Sequence, residues 1–185
     1  GTLRNALSTN RVGHAYLFCG TRGVGKTTMA RLFAAEINLQ AEVDKPEDIR
    51  DAIMRGEDLD VIEIDGASNR GVQEARDLIS NAGLSPSRSS YKIYIIDEVH
   101  MLSKNAFNAL LKTLEEPPEH VKFIFATTEI RKVPVTVLSR CQRFDLRRIE
   151  VQRLAEHFKG ICAKEGADIT EAALHLIARA ADGSV

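Results

Sequence analysis

A lysine, a threonine and a pair of carboxylates stand in this chain in the order and context that phosphate chemistry requires. Residues Gly20-Thr21-Arg22-Gly23-Val24-Gly25-Lys26-Thr27 fit the pattern G-x-x-x-x-G-K-[ST] in full. Its glycines let the backbone curl so that successive N–H groups face phosphate oxygens, and the helix that follows adds its positive end. In such a loop Lys26 reaches the β- and γ-phosphates and the Thr27 hydroxyl holds Mg²⁺, with Thr28 next on the binding stretch. The second group is Asp97 and Glu98, directly after the apolar run Ile93-Tyr94-Ile95-Ile96. A carboxylate at the C-terminal tip of a parallel strand lies beside a phosphate loop, where Mg²⁺ needs an oxygen ligand, and Asp97 suits that place. Glu98 is the natural group to orient and polarise an attacking water. Either acid without the loop upstream would read as a solvated strand end.

These residues are useful only if strands and helices present them together. The run 14–19 is short and apolar and ends at Gly20, as a buried strand does. Residues 26–38 carry Met29, Leu32, Phe33 and Ile37 at helical spacing, and Pro46 signals a helix start before 47–54. Strands are expected at 61–65, 91–96, 121–126 and 142–146. Helices are expected at 2–7, 72–82 and 103–116, the last capped by Ser103 and stopped by Pro117-Pro118, with a short helix or turn at 133–138. Strands alternating with helices predict an α/β fold with a five-stranded parallel sheet covered on both faces. From residue 150 the pattern changes to two helices, 151–165 and 170–181. That divides the chain into a nucleotide-binding core, 1–149, and the start of a small helical domain, 150–185.

The bulk composition narrows the choice of partners. With 185 residues and 44% hydrophobic content the chain can bury a full core. Its 25 basic and 26 acidic residues nearly cancel, so nucleic-acid binding would have to come from a local patch. No apolar run approaches a membrane span of roughly 20 residues, and no signal pattern opens the chain. Cys19, Cys141 and Cys162 are odd in number and far apart, which points to free thiols in a cytoplasmic setting.

Further along, the residues form a more specific series. The phosphate loop is followed by Ile-Ile-Asp-Glu-Val-His-Met-Leu, by Asn-Ala-Leu-Leu-Lys-Thr-Leu-Glu-Glu-Pro-Pro, by Phe-Ala-Thr-Thr and then by Leu-Ser-Arg-Cys. In this order the chain closely resembles the gamma/tau subunits of bacterial DNA polymerase III, AAA+ ATPases that drive the sliding-clamp loader. The resemblance implies an AAA+ core followed by part of a helical lid, with ATP and Mg²⁺ as cofactors. It implies other clamp-loader subunits in a pentamer, a sliding clamp and primed DNA as partners, and no membrane. By the same resemblance Thr128 is the sensor of the γ-phosphate or attacking water, and Arg140 is the arginine finger that acts on ATP held by a neighbouring subunit. Such an arginine stabilises charge that develops during phosphoryl transfer. The family contacts DNA phosphates from the segment Gly66-Ala67-Ser68-Asn69-Arg70-Gly71, so Asn69, Arg70 and Gly71 are DNA-contact candidates, with Arg76 behind them.

The chain also departs from that family. Where the family carries four zinc-binding cysteines this chain has Leu39, Asp44, Glu47 and Arg50. No tetrahedral zinc site can be built from those four side chains. A helix packed by Ile49, Ile53 and Met54 is expected to take the metal's place. Both ends look shorter than the family's, and the arginine that follows Gly-Ser there is not in this sequence, so weak ATPase activity is expected of the piece by itself. A helicase-type ATPase, suggested by Asp97-Glu98-Val99-His100, and a catalytically inert interaction fragment are the competing readings. His100 is expected to pack or hydrogen-bond. Cys19 is expected to be a core residue, and Cys141 lacks a base that would make it a nucleophile.

Overall fold

The computed structural model describes residues 13–40, 43–68 and 85–184. Five parallel strands form one sheet in the order β2-β3-β4-β1-β5. They are β1 (Ala15–Cys19), β2 (Val61–Asp65), β3 (Lys92–Asp97), β4 (Val121–Thr127) and β5 (Gln142–Asp145). Among the described residues six α-helices accompany them: α1 (Lys26–Asn38), α2 (Pro46–Arg55), α3 (Lys104–Glu115), α4 (Val135–Leu138), α5 (Val151–Glu165) and α6 (Glu171–Ala180). The expected helices at 2–7 and 72–82 lie outside the described residues.

The apolar runs are strands because both faces of the sheet are covered, so the side chains of β1 and β4 and most of those of β3 are buried. Leu17, Tyr94, Ile96, Phe123 and Phe125 pack on one face with Phe107, Leu110 and Leu114 of α3 and Val137 of α4. Their neighbours Tyr16, Phe18, Ile93, Ile95 and Ile124 point the other way, onto Phe33 and Ile37 of α1 and Ile49 and Ile53 of α2. The alternation along β1, β3 and β4 therefore separates two cores rather than core from solvent. β5, at the edge, is mostly exposed and charged, with Arg143 bonded to Asp145. Charge on an edge strand discourages further pairing.

Local signals set the helix ends. The Ser103 hydroxyl accepts from the Ala106 N–H at 3.2 Å, and Thr170 does the same for Ala173 at 3.3 Å. Pro46 opens α2, with Glu47 and Asp48 in its first turn, and Gly56 closes it. α2 lays Ile49 and Ile53 against α1, Met54 is half-buried, and Arg50 pairs with Glu36 at 2.9 Å. Two of the four zinc positions, Glu47 and Arg50, are thus helix-start and ion-pair residues. Among the described residues no cluster of His, Cys, Asp and Glu could hold a metal ion by itself. The short helix expected at 133–138 begins two residues later, at Val135. Val133 precedes a proline and is held extended, at φ −82°, ψ 130°.

One loop is anchored by buried acids. Asp60 is fully buried, and its carboxylate accepts the N–H groups of Ser87, Arg88 and Ser89 at 2.6, 2.8 and 2.9 Å. Asp58 accepts the N–H groups of Asp60 and Val61 and is bonded by the Arg88 guanidinium. Burial pushes the Asp60 pKa up, but the three N–H groups, with Lys92, outweigh it and hold the carboxyl below the usual aspartate value. A depressed native pKa stabilises the fold above the unfolded value of about 3.9, and that gain is lost as pH falls through the native pKa. Asp60→Ala, which strands those donors, is expected to destabilise by about 2–3 kcal/mol at pH 7. Urea unfolding of both proteins should show the gap narrowing below about pH 4.

α5 and α6 pack on each other through Leu154, Ala155, Leu174 and Ala178, a cluster separate from both sheet cores. The link to the sheet is residues 146–150. The Ile149 N–H reaches the Gly183 carbonyl at 3.3 Å, beyond α6.

Candidate nucleotide-binding site

The C-terminal ends of β1, β2, β3 and β4 meet at one rim of the sheet, and the candidate residues gather there. β1 leads into Gly20, whose N–H donates to the Thr127 carbonyl of β4 at 3.3 Å. The loop turns into α1 at Gly25, which has φ 82°, a left-handed conformation that side chains resist. No side chain caps α1, and its first turn holds no acidic residue. Its first N–H groups and positive end are therefore free for an anion. Lys26 is only 6% exposed, and its ammonium folds back to donate to the Thr21 carbonyl at 2.9 Å. A cation is thus held inside the curl of the loop.

Asp97 joins loop to strand. Its Oδ2 accepts the Thr27 hydroxyl, and its Oδ1 accepts the Glu98 N–H at 2.8 Å. Two hard oxygens, the Thr27 hydroxyl and the Asp97 carboxylate, thus lie side by side, which is the donor type that Mg²⁺ takes. Glu98 adopts φ 46°, ψ 45°. A left-handed non-glycine residue costs about 1–3 kcal/mol and persists only where its surroundings enforce it. Here Thr128 donates its hydroxyl to Glu98 Oε2 at 2.9 Å, and His100 Nδ1 lies 3.3 Å from the same oxygen. His100 Nδ1 also sits 2.9 Å from the Thr127 hydroxyl, so it is a hydrogen-bonding residue as expected. Gly66 completes the enforcement. Its N–H donates to the Asp97 carbonyl at 2.8 Å, and a Cβ there would come within 2.9 Å of the Asp97 and Glu98 carbonyl oxygens.

Arg22, Gly23, Gly25, Lys26, Thr27, Thr28, Asp97 and Glu98 line a cavity of about 440 Å³. Asp65, Glu98, His100 and Thr128 border an adjoining space of about 630 Å³, together with Thr21. The structure therefore unites the loop with the acid pair and Thr128. Arg140 lines neither cavity and stands elsewhere on the surface. Asn69, Arg70, Gly71 and Arg76 lie outside the described residues. Burial pushes the Cys141 thiol up to about 12, so it remains protonated at neutral pH; Cys19 is likewise raised by burial.

Two residues at the site were not singled out from the sequence. Asp65 ends β2 in register with Asp97 and borders both cavities. Its position at the tip of a strand beside an acid-bearing strand was the available signal. Arg148 bridges the loop to the helical pair. Its Nε lies 3.3 Å from the Thr21 hydroxyl, and its guanidinium pairs with Asp182, just past α6. Nothing in the sequence marks it, since both partners are remote along the chain.

Comparisons with known proteins converge on one group. The family model described as DNA polymerase III, delta subunit, matches residues 1–150. DNA polymerase III subunit tau of Bacillus subtilis is 53% identical over 188 residues, covering 100% of this chain and 33% of that protein. Subunit tau of Escherichia coli is 50% identical, with 99% and 29% covered. Subunit gamma of Buchnera aphidicola is 48% identical, with 99% and 52% covered. The chain thus spans about a third to a half of these relatives. Among solved structures, the RuvB Holliday junction branch migration motor of Thermotoga maritima matches with a TM-score of 0.68 at 22% identity, covering 98% of this chain and 54% of that one. A DNA polymerase III gamma subunit-related protein of the same organism gives 0.62 at 20%, covering 85% and 50%. At those identities the two structures speak for the fold alone.

Proposed function

The chain belongs to the gamma/tau subunit family of DNA polymerase III and has the AAA+ ATPase fold, and from this we propose that it is the ATP-hydrolysing motor segment of a clamp loader. Lys26 and the N–H groups at the start of α1 bind the phosphates. Thr27 and Asp97 would hold Mg²⁺, which would offset the negative charge that develops during phosphoryl transfer. Glu98 takes the proton of the attacking water, and Thr128 fixes the direction of that carboxylate. Arg140 acts on the nucleotide of an adjacent subunit. Residues 150–185 begin a lid, tied to the phosphate loop through Arg148.

The observation that carries this reading is the Thr27–Asp97 contact with Glu98 and Thr128 alongside it. It supports the reading by bringing to one sheet rim the side chains to which metal, water and phosphate roles are assigned. In the whole protein, hydrolysis drives release of a sliding clamp on primed DNA, within a pentamer working in the cytoplasm. No helix among the described residues is long and apolar enough to cross a membrane. The test is ATP hydrolysis by the full-length protein in its complex, with and without primed DNA and the clamp. Hydrolysis stimulated by both supports a loader. Stimulation by single-stranded DNA alone, with strand separation, would move the assignment to a helicase-type motor.

A further inference from the structure

α3 ends on two consecutive carboxylates, Glu115 and Glu116, before Pro117 and Pro118. The C-terminal end of a helix carries free carbonyls and disfavours negative charge. Glu115 is compensated from outside its own helix. Its Oε1 accepts from Arg140 Nη2 at 2.9 Å. Arg140 Nη1 donates to the Thr136 carbonyl of α4 at 2.7 Å and lies 3.5 Å from the Ser139 hydroxyl.

The pair is open to solvent, with the side chains 35% and 53% exposed, and an ion pair so placed adds little to stability. Its effect is on orientation. An arginine has a long, freely rotating stem but a flat fork of donors, so two fixed acceptors set the plane of the whole group. Both acceptors belong to rigid elements, because α3 is anchored by Phe107, Leu110 and Leu114 and α4 by Val137. The Arg140 guanidinium is thus referenced to the core, although it stands on the surface.

We propose that Glu115 is the positioning residue for Arg140. It holds the guanidinium outward in the plane from which the remaining donors reach the phosphates of a neighbouring subunit. The inference rests on the reading of Arg140 as a group acting in trans. Arg140 meets charge that grows only as the phosphoryl group transfers, so loss of its alignment lowers kcat and leaves KM nearly unchanged.

The test uses the full-length subunit in its assembled complex with clamp and primed DNA, with steady-state ATP hydrolysis as the readout. Glu115→Ala is expected to lower kcat on the order of tenfold, with KM for ATP within about twofold. Glu115→Gln keeps an acceptor oxygen without the charge; it should lose less, and it carries the test if the alanine variant fails to assemble. In an Arg140→Ala background, Glu115→Ala should have no further effect. A wild-type or raised kcat in both Glu115 variants, with Arg140→Ala impaired, would overturn the proposal and leave the role of Arg140 standing. So would a further loss in the Arg140→Ala background. Wild-type hydrolysis by Arg140→Ala would instead remove the trans-acting reading itself.

Discussion

Glu98→Gln is expected to bind ATP as the parent does and to hydrolyse it about 10²–10⁴-fold more slowly. The amide has the same shape and can still accept from the Thr128 hydroxyl, which now lies 2.9 Å from Glu98 Oε2. It has no lone pair basic enough to take a proton from water. In the proposed site phosphate binding is assigned to Lys26 and the start of α1, which the substitution does not touch. Titration with a fluorescent ATP analogue and single-turnover hydrolysis separate the two effects. An equal loss of affinity would place Glu98 among the binding groups instead.

Arg140→Ala is expected to act only between subunits. Arg140 borders neither cavity of its own chain, and its contacts are Thr136, Ser139 and Glu115. Nucleotide affinity of the unassembled protein should therefore be unchanged. In the complex, hydrolysis at the neighbouring site should fall by about 10³-fold, at the lower end of what a trans-acting arginine contributes to phosphoryl transfer. Lysine at the position should not rescue, because an ammonium lacks the fork that engages two oxygens together. Measuring single-turnover rates in complexes that carry the variant at one position would check this. A matching defect in the unassembled protein would argue against action across an interface.

Much of the architecture could be read from residue order because the strands are buried on both faces. Continuous apolar runs such as Tyr16-Leu17-Phe18 and Ile93-Tyr94-Ile95-Ile96 have no other use in a chain this short, and each ends at a glycine or an acid. The phosphate loop and the acid pair were legible for the same reason, since a strand end fixes where its next residue lies. Pairings across the chain were not legible. Glu115 and Arg140 are separated by two elements, and Arg148 meets Thr21 from the end of β5, 127 residues along the chain. The left-handed Glu98 was hidden as well, because the chain offers no glycine there. What permits it is Gly66, just past the end of the adjacent strand β2, whose missing side chain leaves room for the Asp97 and Glu98 backbone. The anchoring of loop 85–90 by Asp60 was equally silent, since a buried aspartate has the same letter as a solvated one.

The order β2-β3-β4-β1 puts Asp65, Asp97, Thr127 and Gly20 on four neighbouring strand ends, a rim roughly 14 Å wide at about 4.8 Å per strand. No single segment owns the pocket: β3, β4 and β1 are interior strands and β2 lies at the sheet edge. A pocket assembled from four strand ends is expected to be lost when the sheet opens rather than in a melting event of its own. Occupancy and folding are then one thermodynamic coordinate. Nucleotide at a hundred times its dissociation constant would raise the unfolding free energy by about 2.7 kcal/mol, felt equally at β2 and at β1.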